Sequence, residues 1–297
     1  MNAQPWLTHK EAGNPLAIRT IVVITRVCGH YAGYALLYPI CLYFMLFRPS
    51  SVRASRQYLA RVLGRRAGFR DIFRHHLTFA STVLDRVHLA GDSSALDIRV
   101  HGEGAIVPHL RARRGCLLLG AHLGSFEVMR VLADRYDIDI KALMYRRNAT
   151  TISGISRKLE PSAENSLIEI GQPDTLLRVK EALEGGALVG ILADRAISPD
   201  RTVTVQFLGS PVRLPAGPFL LADLLQAPMV LGFALSRGPR DYDVCFEELA
   251  VPDGVDGSRE ARLAAVAQRY ADRVESHARR MPWNWFNFYD YWRTGRE

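Results

Sequence analysis

Cysteine is scarce and scattered in this chain: only Cys28, Cys41, Cys116 and Cys245 occur, and no two of them form a C-x-x-C pair. That pattern argues against a disulfide framework and a zinc site, and makes a reducing compartment the default surroundings. Acids are the second shortage. Thirty of them face 38 lysines and arginines, leaving a formal charge of +8. Arginine supplies most of the excess, and its planar fork suits phosphate and carboxylate groups. The balance implies an anionic partner: a phospholipid surface, a nucleic acid or an acidic protein. Repeats and low-complexity segments are missing. So is a G-x-S-x-G nucleophile elbow, because "LGSFE" places Gly124 directly before Ser125. A covalent serine nucleophile is therefore not expected.

What is present begins with "LAIRTIVVITRVCGHYAGYALLYPICLYFMLF", residues 16–47, interrupted only by Arg19, Arg26 and His30. Its uninterrupted part, Tyr31 to Phe47, is at the lower limit for crossing a hydrocarbon core of roughly 30 Å. It is too long and too aromatic for a signal-peptide core, and no small-residue cleavage site follows it. Eight arginines and a single acid, Asp71, occupy residues 48–76. That asymmetry puts the rest of the chain on the cytoplasmic side of a membrane and offers charge to anionic headgroups. The reading is a membrane anchor over residues 1–50 and one α/β domain over 51–297. A buried core helix is the competing reading of the same segment, and whether an anchor here spans the bilayer or lies on it stays open.

Two helices are expected next, with the break near Gly68. From about Leu96 the pattern changes. Short apolar or alternating runs ("LDIRV", "CLLLGA", "IDIKALMY", "ALVGILA", "VTVQF", "PMVLGFAL", "DYDVCF") alternate with helical stretches near 104–113, 125–135, 174–184, 217–227 and 259–280. Strands separated by helices predict an α/β fold, a mixed and largely parallel sheet flanked by helices, behind an N-terminal membrane-associated helical arm.

In such sheets ligands gather at the carboxyl ends of strands. Two ends are chemically loaded: "CLLLGAH" delivers His122, and "LVGILADR" delivers Asp194 and Arg195. Glu127 follows His122 by five positions. Nine histidines and 30 acids in 297 residues make one such spacing expected by chance, so the placement at a strand end is what lifts the pair. Glu127 also falls in the first turns of the following helix, where the dipole favours an acid whatever its chemistry.

These residues have company. "HLGSFE" (122–127), "MYRRN" (144–148), "LADR" (192–195), "QFLGSPVRLPAG" (206–217) and "PWNWFNFYDYW" (282–292), read in order behind an apolar N-terminal helix, resemble the bacterial lipid A biosynthesis acyltransferases of the lysophospholipid acyltransferase superfamily. The resemblance runs from about residue 16 to 292. It departs from the family at Ala196, where a second acid is common, at Leu214, where a threonine is expected, and at "WFNFYDYW", where a basic histidine-arginine stretch is typical. These departures fall on acceptor-facing parts, so the acceptor could be lipid A or another glycolipid, such as one of an aryl polyene pathway.

The resemblance implies a bacterial inner-membrane enzyme, active as a monomer, that moves an acyl chain from a thioester to a lipid or glycolipid hydroxyl. Acyl carrier protein is the preferred donor and coenzyme A the alternative; either is a co-substrate, with no bound cofactor or metal and no nucleic-acid partner implied. His122 would be the general base and Glu127 the acid that holds its tautomer. Arg146 is the first candidate for the oxyanion donor, with Arg147 and the backbone near Gly124 and Ser125 as alternatives. Phosphate binding or plain surface charge would explain the two arginines equally well. Asp194, with Arg195, would position the acceptor, brace an arginine or cap a helix. The aromatic tail reads as core, as a belt at headgroup level, or as both together. Two other functions use the same features: a lipid esterase with water as acceptor, and a non-enzymatic basic membrane-binding protein.

Overall fold

The computed structural model describes residues 29–89, 96–145, 166–196, 201–252, 255 and 258–292. Its first three elements are helices: α1 (His30–Phe47), α2 (Pro49–Leu63) and α3 (Phe69–Leu89). Pro49 opens α2 at a position where its missing N–H costs nothing. Gly64, at φ 65°, closes the same helix in the left-handed conformation that glycine adopts without strain. The break between α2 and α3 therefore spans residues 64–68. At its far end Asp71 accepts the Gly68 N–H at 2.9 Å and pairs with Arg65 at 2.7 Å, which fixes the start of α3.

Behind these helices the chain is built on a seven-stranded sheet. Its strands are β1 (Asp97–His101), β2 (Leu117–Gly120), β3 (Ile140–Met144), β4 (Leu167–Glu169), β5 (Leu188–Leu192), β8 (Met229–Gly238) and β9 (Asp241–Glu248), in the spatial order β1-β9-β8-β2-β5-β3-β4. The β8–β9 pair is antiparallel and every other neighbouring pair is parallel, so the sheet is mixed and mostly parallel, as expected. Strand β2 lies in the interior, between β8 and β5. Leu117 and Leu119 enter the core on one face while Cys116 and Leu118 enter the core on the other. A strand covered on both faces needs no polar alternation, which is why "CLLLG" is apolar throughout.

Helices α4 (Val107–Arg111), α5 (Phe126–Arg135), α6 (Thr175–Glu184), α7 (Gly217–Leu225) and α8 (Arg259–Arg280) complete the layers. A separate hairpin, β6 (Thr202–Phe207) with β7 (Ser210–Pro215), packs against α8. One apolar cluster gathers α2, α8, the hairpin and the C-terminal aromatics, and the other gathers β1, α4 and α5. The helical stretch expected at 104–113 is a 3₁₀ turn, Glu103–Ala105, followed by the five-residue α4.

Candidate active site

The register of β2 against β5 sets the site. Gly120 pairs with Leu192 at the ends of these parallel neighbours. Two residues further on stand His122 and Asp194, so side chains 72 positions apart in sequence meet across one strand spacing of about 4.8 Å. The His122 Nδ1 lies 2.7 Å from Asp194 Oδ1, and the His122 backbone N–H donates to Asp194 Oδ2 at 3.0 Å. Asp194 is 2% exposed and the His122 side chain 28%.

Asp194 is itself held by two residues of the C-terminal segment. Asn287 donates to its Oδ2 at 3.0 Å, and the Tyr291 hydroxyl donates to its backbone oxygen at 2.7 Å. Arg195 donates from Nε to Asn287 Oδ1 at 2.7 Å and from Nη2 to the Phe286 carbonyl at 3.0 Å. Asp194 also borders a small cavity walled by Phe207, Leu214, Val274 and Trp285, apolar surroundings that keep the local dielectric low and strengthen charge-assisted bonds.

Burial alone would raise the Asp194 pKa. The imidazole beside it, the hydrogen bond from that imidazole, the Arg195 guanidinium and the Asn287 amide outweigh burial and hold the carboxyl well below the usual carboxylate range. The group is thus ionised and can only accept, which places the proton of neutral His122 on Nδ1 and leaves the Nε2 lone pair unprotonated. Burial, followed by Arg195, lowers the His122 pKa against the opposing pull of Asp194. The imidazole is therefore neutral near pH 7, in the form a base requires.

The sequence-derived candidates divide. Glu127 stands in the first turn of α5, and its carboxylate lies 3.4 Å from Arg130 Nε. The acid that meets His122 Nδ1 is Asp194, so the structure brings Asp194 and not Glu127 to that ring nitrogen. Gly124 has φ 79°, and a Cβ there would lie 1.9 Å from the Ala234 carbonyl oxygen, so only glycine fits. Its N–H donates to the Asn284 carbonyl at 2.8 Å, and the Ser125 N–H donates to the Ala234 carbonyl at 2.9 Å. Both amides are thus engaged within the fold. Ser125 is 1% exposed and its hydroxyl has no hydrogen-bond partner among the described residues, so His122 does not activate it. Arg146 and Arg147 lie outside the described residues.

The C-terminal segment supplies what sequence reasoning missed. The Phe286 N–H donates to the His122 carbonyl at 2.7 Å, and Leu123 bridges Trp285 in antiparallel fashion. Asn284 grips the Ser236 backbone both ways, accepting its N–H at 2.7 Å and donating to its carbonyl at 3.0 Å. Behind Trp285, buried His75 donates from Nε2 to the Trp285 carbonyl at 2.8 Å, and the Ser55 hydroxyl meets His75 Nδ1 at 2.8 Å. Burial drives the His75 pKa down to about 3, so this histidine braces the segment without titrating near neutrality. Trp285, Phe286, Tyr291 and Trp292 are buried, so these aromatics of the tail belong to the core, while Trp283, Phe288 and Tyr289 are half-buried. The legible signal is two amides, Asn284 and Asn287, inside an aromatic run, since buried amides must find partners.

The family model for bacterial lipid A biosynthesis acyltransferases matches residues 73–294, which contain the whole of this site. The chain belongs to that family. It is an acyltransferase, and membership implies acyl transfer to a lipid acceptor from an acyl donor. The family and the apolar helix α1 together point to membrane association. No curated protein matches the chain significantly.

Proposed function

We propose that this acyltransferase is an O-acyltransferase in which His122 is the general base, Asp194 orients it, and acyl carrier protein delivers the acyl chain as a thioester. A hydroxyl of lipid A or of a related glycolipid is the acceptor. The observation that carries this reading is the 2.7 Å contact between Asp194 and His122 Nδ1, which directs the proton-accepting Nε2 away from the acid. The acceptor hydroxyl gives its proton to Nε2 as its oxygen bonds to the thioester carbonyl carbon. The carbonyl electron pair moves to oxygen, returns as the carbon–sulfur bond breaks, and the departing thiolate takes the proton back from the imidazolium.

A donor aimed at the transient oxyanion is worth about 3–4 kcal/mol. With the amides of Gly124 and Ser125 engaged elsewhere, Arg146 takes this role and Arg147 is its alternative. Residues 1–50 anchor the protein, and 51–297 form the catalytic domain on the cytoplasmic side of the bacterial inner membrane. Supporting that side is the arginine excess between Arg48 and Arg74, which matches the anionic lipids of the cytoplasmic leaflet.

Full-length enzyme in detergent, given acyl carrier protein thioester and a lipid A precursor, tests the chemistry. His122→Ala is expected to lose transfer while keeping its fold and membrane fraction. Near-normal turnover by that variant would overturn the assignment.

A further inference from the structure

We infer that α1 lies in the plane of the membrane interface, its outward face in lipid and its inward face on the catalytic domain, and does not cross the bilayer. The inference rests on the membrane-enzyme reading above and concerns how that enzyme sits.

A helix of 18 residues is about 27 Å long. Its inward stripe, Tyr34, Leu37 and Cys41, is buried, and one turn further Met45 packs against the main core. Tyr34, Leu37 and Leu84 of α3 form one cluster, and Tyr38 meets Phe73 of α3 at 5.8 Å between ring centroids. Both ends are tied to the domain. At the start of α1 the Tyr34 hydroxyl bonds buried Asp85 of α3, whose other oxygen accepts from the Tyr242 hydroxyl of β9 at 2.5 Å. At the other end the chain turns at Arg48 directly into α2, which carries buried Tyr58 and Leu59 of the main core.

A helix bound along its whole length takes its support wherever it goes. Were α1 to cross the hydrocarbon, α3 would enter beside it, bringing the exposed Arg70, Arg74 and Arg86. Charges at that depth are expensive. The exposed residues tell the same story. Tyr31 (80%), Tyr38 (55%, at the margin of the stripe that meets α3), Tyr43 (57%), Leu46 (70%) and Phe47 (65%) are open along the helix. Spanning helices collect tyrosine at their two ends, at headgroup level. Here exposed tyrosines stand at the beginning, the middle and the later turns, the pattern of a helix whose whole length sits at headgroup depth. Exposed Arg48, Arg53 and Arg56 follow immediately, and their charge matches anionic headgroups.

This placement has a consequence for the acceptor. The same α3 that carries α1 reaches the site through Phe79, whose ring lies 5.3 Å from both Phe286 and Phe288. A lipid held in the leaflet would then approach His122 sideways along α3.

The test uses the full chain in vesicles of phosphatidylethanolamine and phosphatidylglycerol, with Cys28, Cys41, Cys116 and Cys245 replaced by alanine. Tyr31→Cys, Tyr38→Cys and Phe47→Cys, made singly, carry an environment-sensitive fluorophore, and lipids bear a nitroxide either near the headgroup or near the chain end. The expected result is the larger loss of fluorescence with the shallow nitroxide at all three positions. Strongest quenching of the Tyr38 position by the deep nitroxide, with both ends quenched by the shallow one, would establish a spanning helix and overturn the inference while leaving the membrane reading intact. Absence of quenching at all three would overturn both.

Discussion

His122 and Asp194 stand at equivalent points of two neighbouring parallel strands, each two residues beyond the Gly120–Leu192 pair that closes the β2–β5 ladder. The contact is thus fixed by backbone register as well as by side-chain rotamers, and Asp194 holds both the imidazole and the backbone N–H of His122. Asp194→Asn puts an amide NH₂ where three donors converge, so one of them loses its acceptor and the imidazole loses its preferred tautomer. By the behaviour of catalytic triads, turnover should fall by about 10³-fold or more. Transfer assays beside a thermal melt separate this from unfolding. A folded variant with near-normal turnover would remove Asp194 from the mechanism.

The pH profile follows from the same charges. Histidine ordinarily titrates near about 6.5. Burial and Arg195 shift His122 below that value, so the active neutral form persists to lower pH and activity should fall only as pH drops through the shifted value. Arg195→Met removes one of the groups that disfavour the imidazolium. Its acid limb should therefore move to higher pH than that of the unmodified enzyme. A shift in the opposite direction, read from kcat against pH, would contradict the electrostatic account.

Glu127 provides the contrasting case. Its carboxylate faces Arg130 at the start of α5, and the Nδ1 position belongs to Asp194. Glu127→Gln should leave the acid limb of kcat where it is, whatever the change does to turnover. An acid limb displaced as far as that of an Asp194 variant would put Glu127 back on the imidazole.

The amino-acid sequence makes much of this legible, but unevenly. The alternation of apolar runs with helical stretches gives the α/β class, and the buried strands β2 and β5 stand out because both faces are covered. His122 and Asp194 are each recognisable as strand-end residues. Their contact is not, because β3 and β4 intervene in sequence and no local pattern says that β5 lies next to β2. Glu127 is the visible partner only because linear spacing can be read and spatial adjacency cannot. Strand β7 is hidden by Pro211 and Pro215, residues depleted in strands but tolerated in a two-stranded hairpin. Three-residue β4 is too short to show a period.

Asn287 is the link by which the C-terminal segment reaches the chemistry. It donates to Asp194 and accepts from Arg195, so Asn287→Ala withdraws one bond from the carboxylate and one from the guanidinium. A hydrogen bond to a charged group is worth about 1.5–3 kcal/mol, which corresponds to a fall in kcat of roughly 10- to 100-fold with KM little changed. Steady-state kinetics that showed the whole loss in KM would assign Asn287 to substrate binding instead.

The donor prediction tests the surface of the enzyme. Acyl carrier protein and coenzyme A share the phosphopantetheine arm, so the His122 site alone cannot distinguish them. Surface charge can. A carrier protein presents an acidic helix to several contacts, whereas coenzyme A presents phosphates to one local site. The arginines from Arg48 to Arg74 are spread over α2, α3 and the turns at either end of α2, and Arg48, Arg53, Arg56, Arg66 and Arg70 are exposed, a distribution too broad for a single nucleotide pocket. The bilayer competes for the same charges, so the comparison must hold detergent and acceptor constant while only the carrier changes. Transfer from the carrier protein should exceed transfer from coenzyme A, and it should weaken as salt rises, because exposed charges are screened beyond about 8 Å at physiological ionic strength. Efficient, salt-insensitive transfer from coenzyme A with none from the carrier protein would reassign the donor and leave the contact between His122 and Asp194 to explain the chemistry by itself.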